Sequence, residues 1–209
     1  MRKDLFMSLR HQPKAALIND FSGFGRCSVT VALPIISQMK VQCCPVLTSV
    51  FSNHTGYPSF YFDDYTEKMP SYIAEWKKLN LHFECIAAGF LGSERQIEIV
   101  KNFIRDFKDE TTKVLIDPVM GDHGRTYQTF TPEMCSQMKQ LAHFADILTP
   151  NLTEACILTD TPYHDGHWQM SELSELALSL IAMGPSKVVI TGVSMGTFIG
   201  NVICESGGT

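Results

Sequence analysis

No apolar run in this chain approaches the ~18 residues of a membrane-spanning helix, so nothing points to a membrane-embedded protein. Clusters or stripes of Lys and Arg are also missing. With a formal net charge of -5, that absence argues against a nucleic-acid partner. There is no Cys-x-x-Cys pair. The seven cysteines (Cys27, Cys43, Cys44, Cys85, Cys135, Cys156 and Cys204) are odd in number, dispersed and mostly set in apolar segments. A zinc site or redox motif is therefore a poor reading, and buried free thiols in a reducing cytoplasm the plain one. Residues 1–14 mix Arg2, Lys3, Arg10 and Lys14 with too few apolar residues for a signal peptide, and read as a poorly ordered lead-in. The rest contains no linker, repeat or low-complexity tract. Residues 15–209 are expected to form one domain, of ordinary globular composition at 44% hydrophobic and 19% charged residues.

What is present is an alternation of strand-like and helix-like segments. Strands are expected at residues 15–18, 41–50, 85–88, 113–116, 146–149 and 188–191. Between them lie helical patterns at 26–40, which Pro34 should kink or divide, and at 65–79, where Tyr72, Ile73, Trp76 and Leu79 share a face. Ser93 and Gln96 form a capping box ahead of the stripe Ile97, Val100, Ile104 and Phe107. Further helices are expected at 132–142, from Asn151 and Glu154 onward, and at 171–183. Residues 192–196 read as a turn into 197–204, closing an antiparallel hairpin. The alternation predicts an α/β protein with a doubly wound, mainly parallel sheet and helices on both faces.

Polar clusters follow successive strands. Asp117-Pro118-Val119-Met120-Gly121-Asp122 succeeds Val114-Leu115-Ile116, so a buried strand delivers a carboxylate to the C-terminal edge, where open α/β sheets bind ligands. Two acids there suit a hard cation and phosphate chemistry; taken alone, the stretch reads equally as an Asp-Pro turn. Gly23-Phe24-Gly25 invites a dinucleotide site. Its third glycine position is Ser28, though, and no acid ends the strand near Val50, so the fingerprint fails and a dehydrogenase with it. A tight turn that lets backbone approach a small ligand, or a plain turn, remains. Residues 51–57 (Phe-Ser-Asn-His-Thr-Gly-Tyr) have the means to stack on a flat heterocycle while His54 and Thr55 address its polar edge, although a polar surface loop is the plainer reading. Thr149-Pro150-Asn151 with Glu154 is a helix cap whose side chains also suit phosphate or a hydrated cation. Val188–Gly192 is a strand terminator or a nucleotide wall.

In this order, Ser52-Asn53-His54-Thr55-Gly56-Tyr57, Asp117–Asp122, Thr149-Pro150-Asn151 with Glu154, and Met183-Gly184-Pro185 before Val188-Val189-Ile190-Thr191 resemble the pyridoxal kinases of the ribokinase-like superfamily. The resemblance runs from about Ala15 to the end. Asn19-Asp20-Phe21-Ser22-Gly23 also looks like the related hydroxymethylpyrimidine kinases of thiamine synthesis. The resemblance implies ATP-dependent phosphorylation of the hydroxymethyl group of pyridoxal, pyridoxamine or pyridoxine. By motif, Asn19 or Asp20 with Thr55 and His54 would contact the ring and its substituents, and Phe90, at the place of a family Tyr, would help enclose it. Asp117 would lie near the phosphates and the cation. Asp122 and Thr149 would help hold a monovalent ion, K+ or Na+. Asn151 and Glu154 would serve the phosphates and Mg2+, and Thr191 would touch the nucleotide.

The family's Gly-Thr-Gly-Asp motif, whose Asp is the base, is not in this sequence; only Gly208-Thr209 resembles its first half. The resemblance therefore implies a C-terminally incomplete domain with no catalytic residue of its own. A non-catalytic vitamer-binding protein on the same fold is the alternative from another class. An incomplete sheet would leave apolar surface open, so a cytoplasmic homodimer is expected.

Overall fold

The computed structural model describes residues 12–127 and 130–207. The expected lead-in falls almost wholly on residues outside these, as do Gly208 and Thr209. The chain runs β1 (Lys14–Ser22), α1 (Val29–Gln38), β2 (Gln42–Phe51), β3 (Phe62–Asp64), α2 (Met69–Lys78), β4 (Cys85–Ala88), α3 (Glu94–Phe107) and β5 (Lys113–Ile116). It continues through β6 (Gly121–Asp122), β7 (Arg125–Thr126), α4 (Pro132–Ala142), β8 (Ile147–Leu148), α5 (Leu152–Thr159), α6 (Met170–Ile181), β9 (Lys187–Met195) and β10 (Phe198–Glu205). Eight strands form one sheet in the order β10-β9-β8-β5-β4-β1-β2-β3. Pairing is parallel across the middle and antiparallel only at the edges, β2 with β3 and β9 with β10. β6 and β7 make a separate small hairpin.

Handedness explains the layering. The crossover from β1 through α1 to β2 moves one way along the sheet, whereas every later parallel crossover moves the other way. Right-handed crossovers then place α1 on one face and α2 to α6 on the opposite face. The burial pattern agrees. Ile18, Ala88, Ile116, Leu148 and Val188 form one row across five strands, none more than 2% exposed. On the other face the neighbouring row is Leu17, Ala87, Leu115, Ile147 and Lys187. There only Leu17, on a strand packed by α1, is buried; the rest are half-buried.

Several local expectations need correction. α1 starts at Val29 rather than Arg26, because Arg26 and Ser28 hold left-handed φ of 48° and 51°. Pro34 lies inside an undivided helix of 10 residues. That helix is apolar but largely open to water, with Val31, Leu33 and Ile35 exposed. Residues 192–195 are not a turn: β9 continues to Met195, and the reversal is Gly196-Thr197, with Gly196 at φ 69°. The cross-strand pair Met195–Phe198 fixes this two-residue turn. β3 and the β6–β7 hairpin are too short, and too rich in Asp and Gly, to carry a strand signal.

The asymmetry of the sheet has a measurable consequence. Ile116→Ala, on the covered face, is expected to cost ~3 kcal/mol. Leu115→Ala, one residue away on the open face, should cost only ~1 kcal/mol. Urea unfolding of both variants checks this; equal losses would contradict the assignment of faces.

Candidate functional site

Between β1 and β4 the direction of strand addition reverses, and the C-terminal ends beside such a switch point are the usual ligand position in open α/β sheets. β1 delivers Asn19 and Asp20 there, at an irregularity in its register with β2. The Asn19 Oδ1 accepts from the backbone N–H of Asp20 (3.0 Å) and of Phe90 (3.0 Å). Its amide occupies the space beside Gly89, where an added Cβ would sit 2.5 Å from Nδ2, so a side chain at position 89 is excluded. Asp20 is buried, and its Oδ2 accepts from the Ser22 hydroxyl at 3.2 Å. Phe90 stands edge-on to Phe51 with ring centroids 6.1 Å apart, and Phe51 packs on Phe60 and Phe62. These strand ends thus carry an aromatic cluster and a buried carboxylate.

The loop after β2 closes over the Gly23–Gly25 turn. Gly23 N–H donates to Phe51 O, Phe24 N–H to Ser52 O, and His54 N–H to Phe24 O. Gly25 has φ 111°, and a Cβ there would lie 2.7 Å from the His54 Cβ, so this glycine serves both the turn and the close approach. His54 Nδ1 accepts from Gly56 N–H at 3.0 Å, which leaves Nε2 as the ring nitrogen free to act outward. Thr55 is exposed on the same loop, and Phe24 meets Tyr57 at 5.5 Å.

A second cluster lies across β5 and β8. Asp117 follows β5, its N–H donating to Ala88 O, and its carboxylate accepts a hydrogen bond from Thr149. Burial pushes the Asp117 pKa up to about 6, with Thr149 only partly opposing it. Glu154 is 3% exposed and completes a capping box: its N–H donates to Asn151 Oδ1 (3.0 Å), and its Oε2 accepts from Asn151 N–H (2.8 Å). Its Oε1 accepts from Met120 N–H at 3.2 Å. Burial still dominates these donors, and the nearby Asp117 charge adds to it, raising the Glu154 pKa to about 8. Asn151 Nδ2 donates to Gly121 O at 2.8 Å, tying the start of α5 to the hairpin. Thr191 N–H donates to Pro150 O at 2.8 Å, and Thr191 bridges to Asn151 in parallel fashion.

Asp117, Thr149, Asn151, Glu154 and Thr191 are therefore brought together. Asp122 is exposed on the hairpin, where its Oδ1 accepts from His123 N–H at 2.8 Å. Sequence reasoning missed Tyr127, whose pKa is raised first by burial and then by Asp122, Glu154 and Asp117. Its only advance signal is its place after a glycine-rich acidic turn. It also missed Ser22, and the second role of Gln96. Ser93 caps α3 as expected, but the Gln96 side chain accepts from Gly92 N–H instead of closing the box on Ser93.

Neither Asp117 nor Glu154 forms an ion pair with a basic side chain among the described residues. Two hard carboxylate donors, Glu154 buried and Asp117 partly so, without a counter-charge fit a small divalent cation. No group of three or more His, Cys, Asp or Glu side chains forms a metal cage among the described residues. A cation here would thus be held mainly through water and phosphate, as suits Mg2+.

The sequence matches the phosphomethylpyrimidine kinase family over residues 33–208. A putative phosphomethylpyrimidine kinase from Bacteroides thetaiotaomicron, solved with pyridoxal, is 48% identical with a TM-score of 0.85, covering 88% of this chain and 64% of that one. The pyridoxal kinase of Lactobacillus plantarum is 28% identical with a TM-score of 0.83, covering 92% of this chain and 68% of that one. The pyridoxal kinase of Arabidopsis thaliana is 31% identical over 161 residues, 73% of this chain and 49% of that protein. The chain spans about half the length of the curated relatives it matches.

The two buried acids set a pH dependence. Their folded pKa values lie above those of an unfolded chain, so the native state binds more protons and loses stability as pH rises from about 4 to about 8. Without divalent cations, the unfolding free energy from urea titration at pH 8 should fall below that at pH 5 by on the order of a few kcal/mol. Asp117→Asn should flatten the profile. A wild-type profile that rises over this range would refute the assignment.

Proposed function

The chain belongs to the phosphomethylpyrimidine kinase family, and from that premise we propose that it serves ATP-dependent phosphorylation of the hydroxymethyl group of pyridoxal, pyridoxamine or pyridoxine. The observation that carries this reading is the uncompensated Asp117–Glu154 pair, set beside an aromatic-walled crevice at the same sheet edge. A phosphoryl donor and its cation belong on the acidic side, a flat heterocycle on the aromatic side. The two clusters stand on adjacent strands, β4 and β5, so the substrate hydroxymethyl group and the terminal phosphate meet between them.

The residues divide the work by position. Phe90 and Phe51 wall the ring, while Asp20, Asn19, Thr55 and His54 address its polar edge. Asn151, oriented by Gly121 O, and Thr191 beside it serve the nucleotide phosphates. Asp117 and Glu154 would hold Mg2+, and Thr149 with Asp122 would support a monovalent cation, K+ or Na+. Mg2+ supplies charge neutralisation of the transferring phosphoryl group, so catalysis is chiefly positioning and electrostatics. No residue of this chain is assigned to remove the hydroxyl proton, because the Asp117 and Glu154 carboxylates lie on the cation side. The protein is proposed to act in the cytoplasm as a homodimer, whose contact would cover exposed apolar surface on α1 and β10.

A second reading, hydroxymethylpyrimidine phosphorylation, rests on the family match; a third is vitamer binding without catalysis. Calorimetry separates the first two. A polypeptide of these 209 residues should bind pyridoxal more tightly than hydroxymethylpyrimidine, and show little or no turnover with Mg-ATP. The reverse preference would favour the pyrimidine reading. Turnover at the ~1–100 per second usual for kinases would overturn the reading that no residue of this chain removes the hydroxyl proton.

Cation binding has its own check. Mg2+ should raise the melting temperature at pH 8 in the wild type and not in Glu154→Gln. Equal stabilisation of both proteins would remove Glu154 from the site.

A further inference from the structure

Gln96 is the third residue of α3 and only 1% exposed, yet its side chain serves three segments outside that helix. Its Oε1 accepts from Gly92 N–H at 2.7 Å. Its Nε2 donates to Thr48 O on β2 (2.8 Å), to Thr66 Oγ1 (2.8 Å) and, at 3.2 Å, to Asp64 Oδ1 at the end of β3. A helix cap needs only the first kind of contact. The other bonds bring β2 and the corner between β3 and α2 against the loop that leaves β4.

That loop carries Phe90, and its backbone is held on both sides by the same assembly. The Thr48 hydroxyl donates to Phe90 O at 3.0 Å, and Phe90 N–H donates to Asn19 Oδ1 at 3.0 Å. Thr48 is fully buried, so its hydroxyl has no water to turn to. Since Gln96 grips the carbonyl of Thr48 and the amide of Gly92, it fixes the spacing between β2 and the Phe90 loop from behind. The Phe90 ring in turn meets Phe51, the last residue of β2.

We propose that Gln96 is a positioning residue for the ring-binding side of the crevice, setting where the Phe90 wall stands through the buried Gln96–Thr48–Phe90 chain of hydrogen bonds. It touches neither ring nor phosphate. A buried network of this kind specifies one geometry because each unmade bond is costly. The inference deepens the substrate reading above and rests on it for the identity of the ligand, but not for the mechanical role.

Gln96→Glu tests it. The variant keeps size and the acceptor for Gly92 N–H, loses the donor to Thr48 O, and sets a carboxylate against Asp64. Pyridoxal affinity, followed by calorimetry, should fall ~10-fold, while stabilisation by Mg2+ on the Asp117 side is unchanged. Hydrogen exchange at the Phe90 and Gly92 amides should quicken ~10-fold, with the β5 amides unmoved. Adding Asp64→Asn to Gln96→Glu returns an N–H donor to the pair and should restore part of both. If Gln96→Glu does not fold, Thr48→Val, which removes only the hydroxyl to Phe90 O, should give the same selective pattern more weakly.

Equal weakening of pyridoxal and Mg2+ binding would mean a merely structural cap and overturn the proposal. So would unchanged exchange at Phe90. Failure of the wild type to bind pyridoxal would sink the substrate reading instead, and amide exchange alone would then decide the role of Gln96.

Discussion

The reversal of strand addition between β1 and β4 is the constraint on which the rest of this molecule depends. One crossover, through α1, goes to β2; all later ones go the other way, and right-handedness sends their helices to the opposite face. That single change of direction opens the crevice at the strand ends. It also leaves one face of the sheet thickly covered and the other, among the described residues, with α1 alone. The row from Ile18 to Val188 is sealed, while Leu115 and Ile147 on the other face stay half-buried. Ligand site and uneven core are two results of one topology.

The crevice is costly in a way that suggests its use. Glu154 is buried and Asp117 partly so, neither with a basic partner among the described residues, and each is held by donors too few to restore ordinary acidity. Folding tolerates this because β5 and the start of α5 are fixed by the core behind them, not by the acids themselves. Around β1 and β4 the opposite economy holds. Asn19, Thr48 and Gln96 satisfy backbone groups of the Phe90 loop, so its position is tied to β1, β2 and α3.

Much of the central sheet was legible because its strands are short, β-branched and bounded by turn residues. Cys85–Ala88 and Lys113–Ile116 coincide with the expected segments, and the α3 stripe of Ile97, Val100 and Ile104 is buried as its period requires. The Asn151–Glu154 cap was legible too, since its signal is local. Elements that form only by docking were not. β3 exists by pairing with β2, the β6–β7 hairpin is tied to α5 through Asn151, and β9 runs on past Gly192 because β10 lies alongside. Asp122 shares a sequence motif with Asp117, yet it pairs with Arg125 on the β6–β7 hairpin and is exposed, which no local pattern marks.

By itself the sequence determined the fold class, the acids at the end of β5, the cap of α5 and the family to which these motifs belong, because each is written in residues close together along the chain. Only the tertiary structure decided that Asp117 and Glu154 share one buried field, that Asn19 and Thr48 hold Phe90 from either side, and that Gln96 reaches past its own helix to three other segments. Those facts depend on which strands lie side by side. Burial and hydrogen-bond partners are properties of neighbours in space, and neighbours separated by dozens of residues leave no periodic mark on a single sequence.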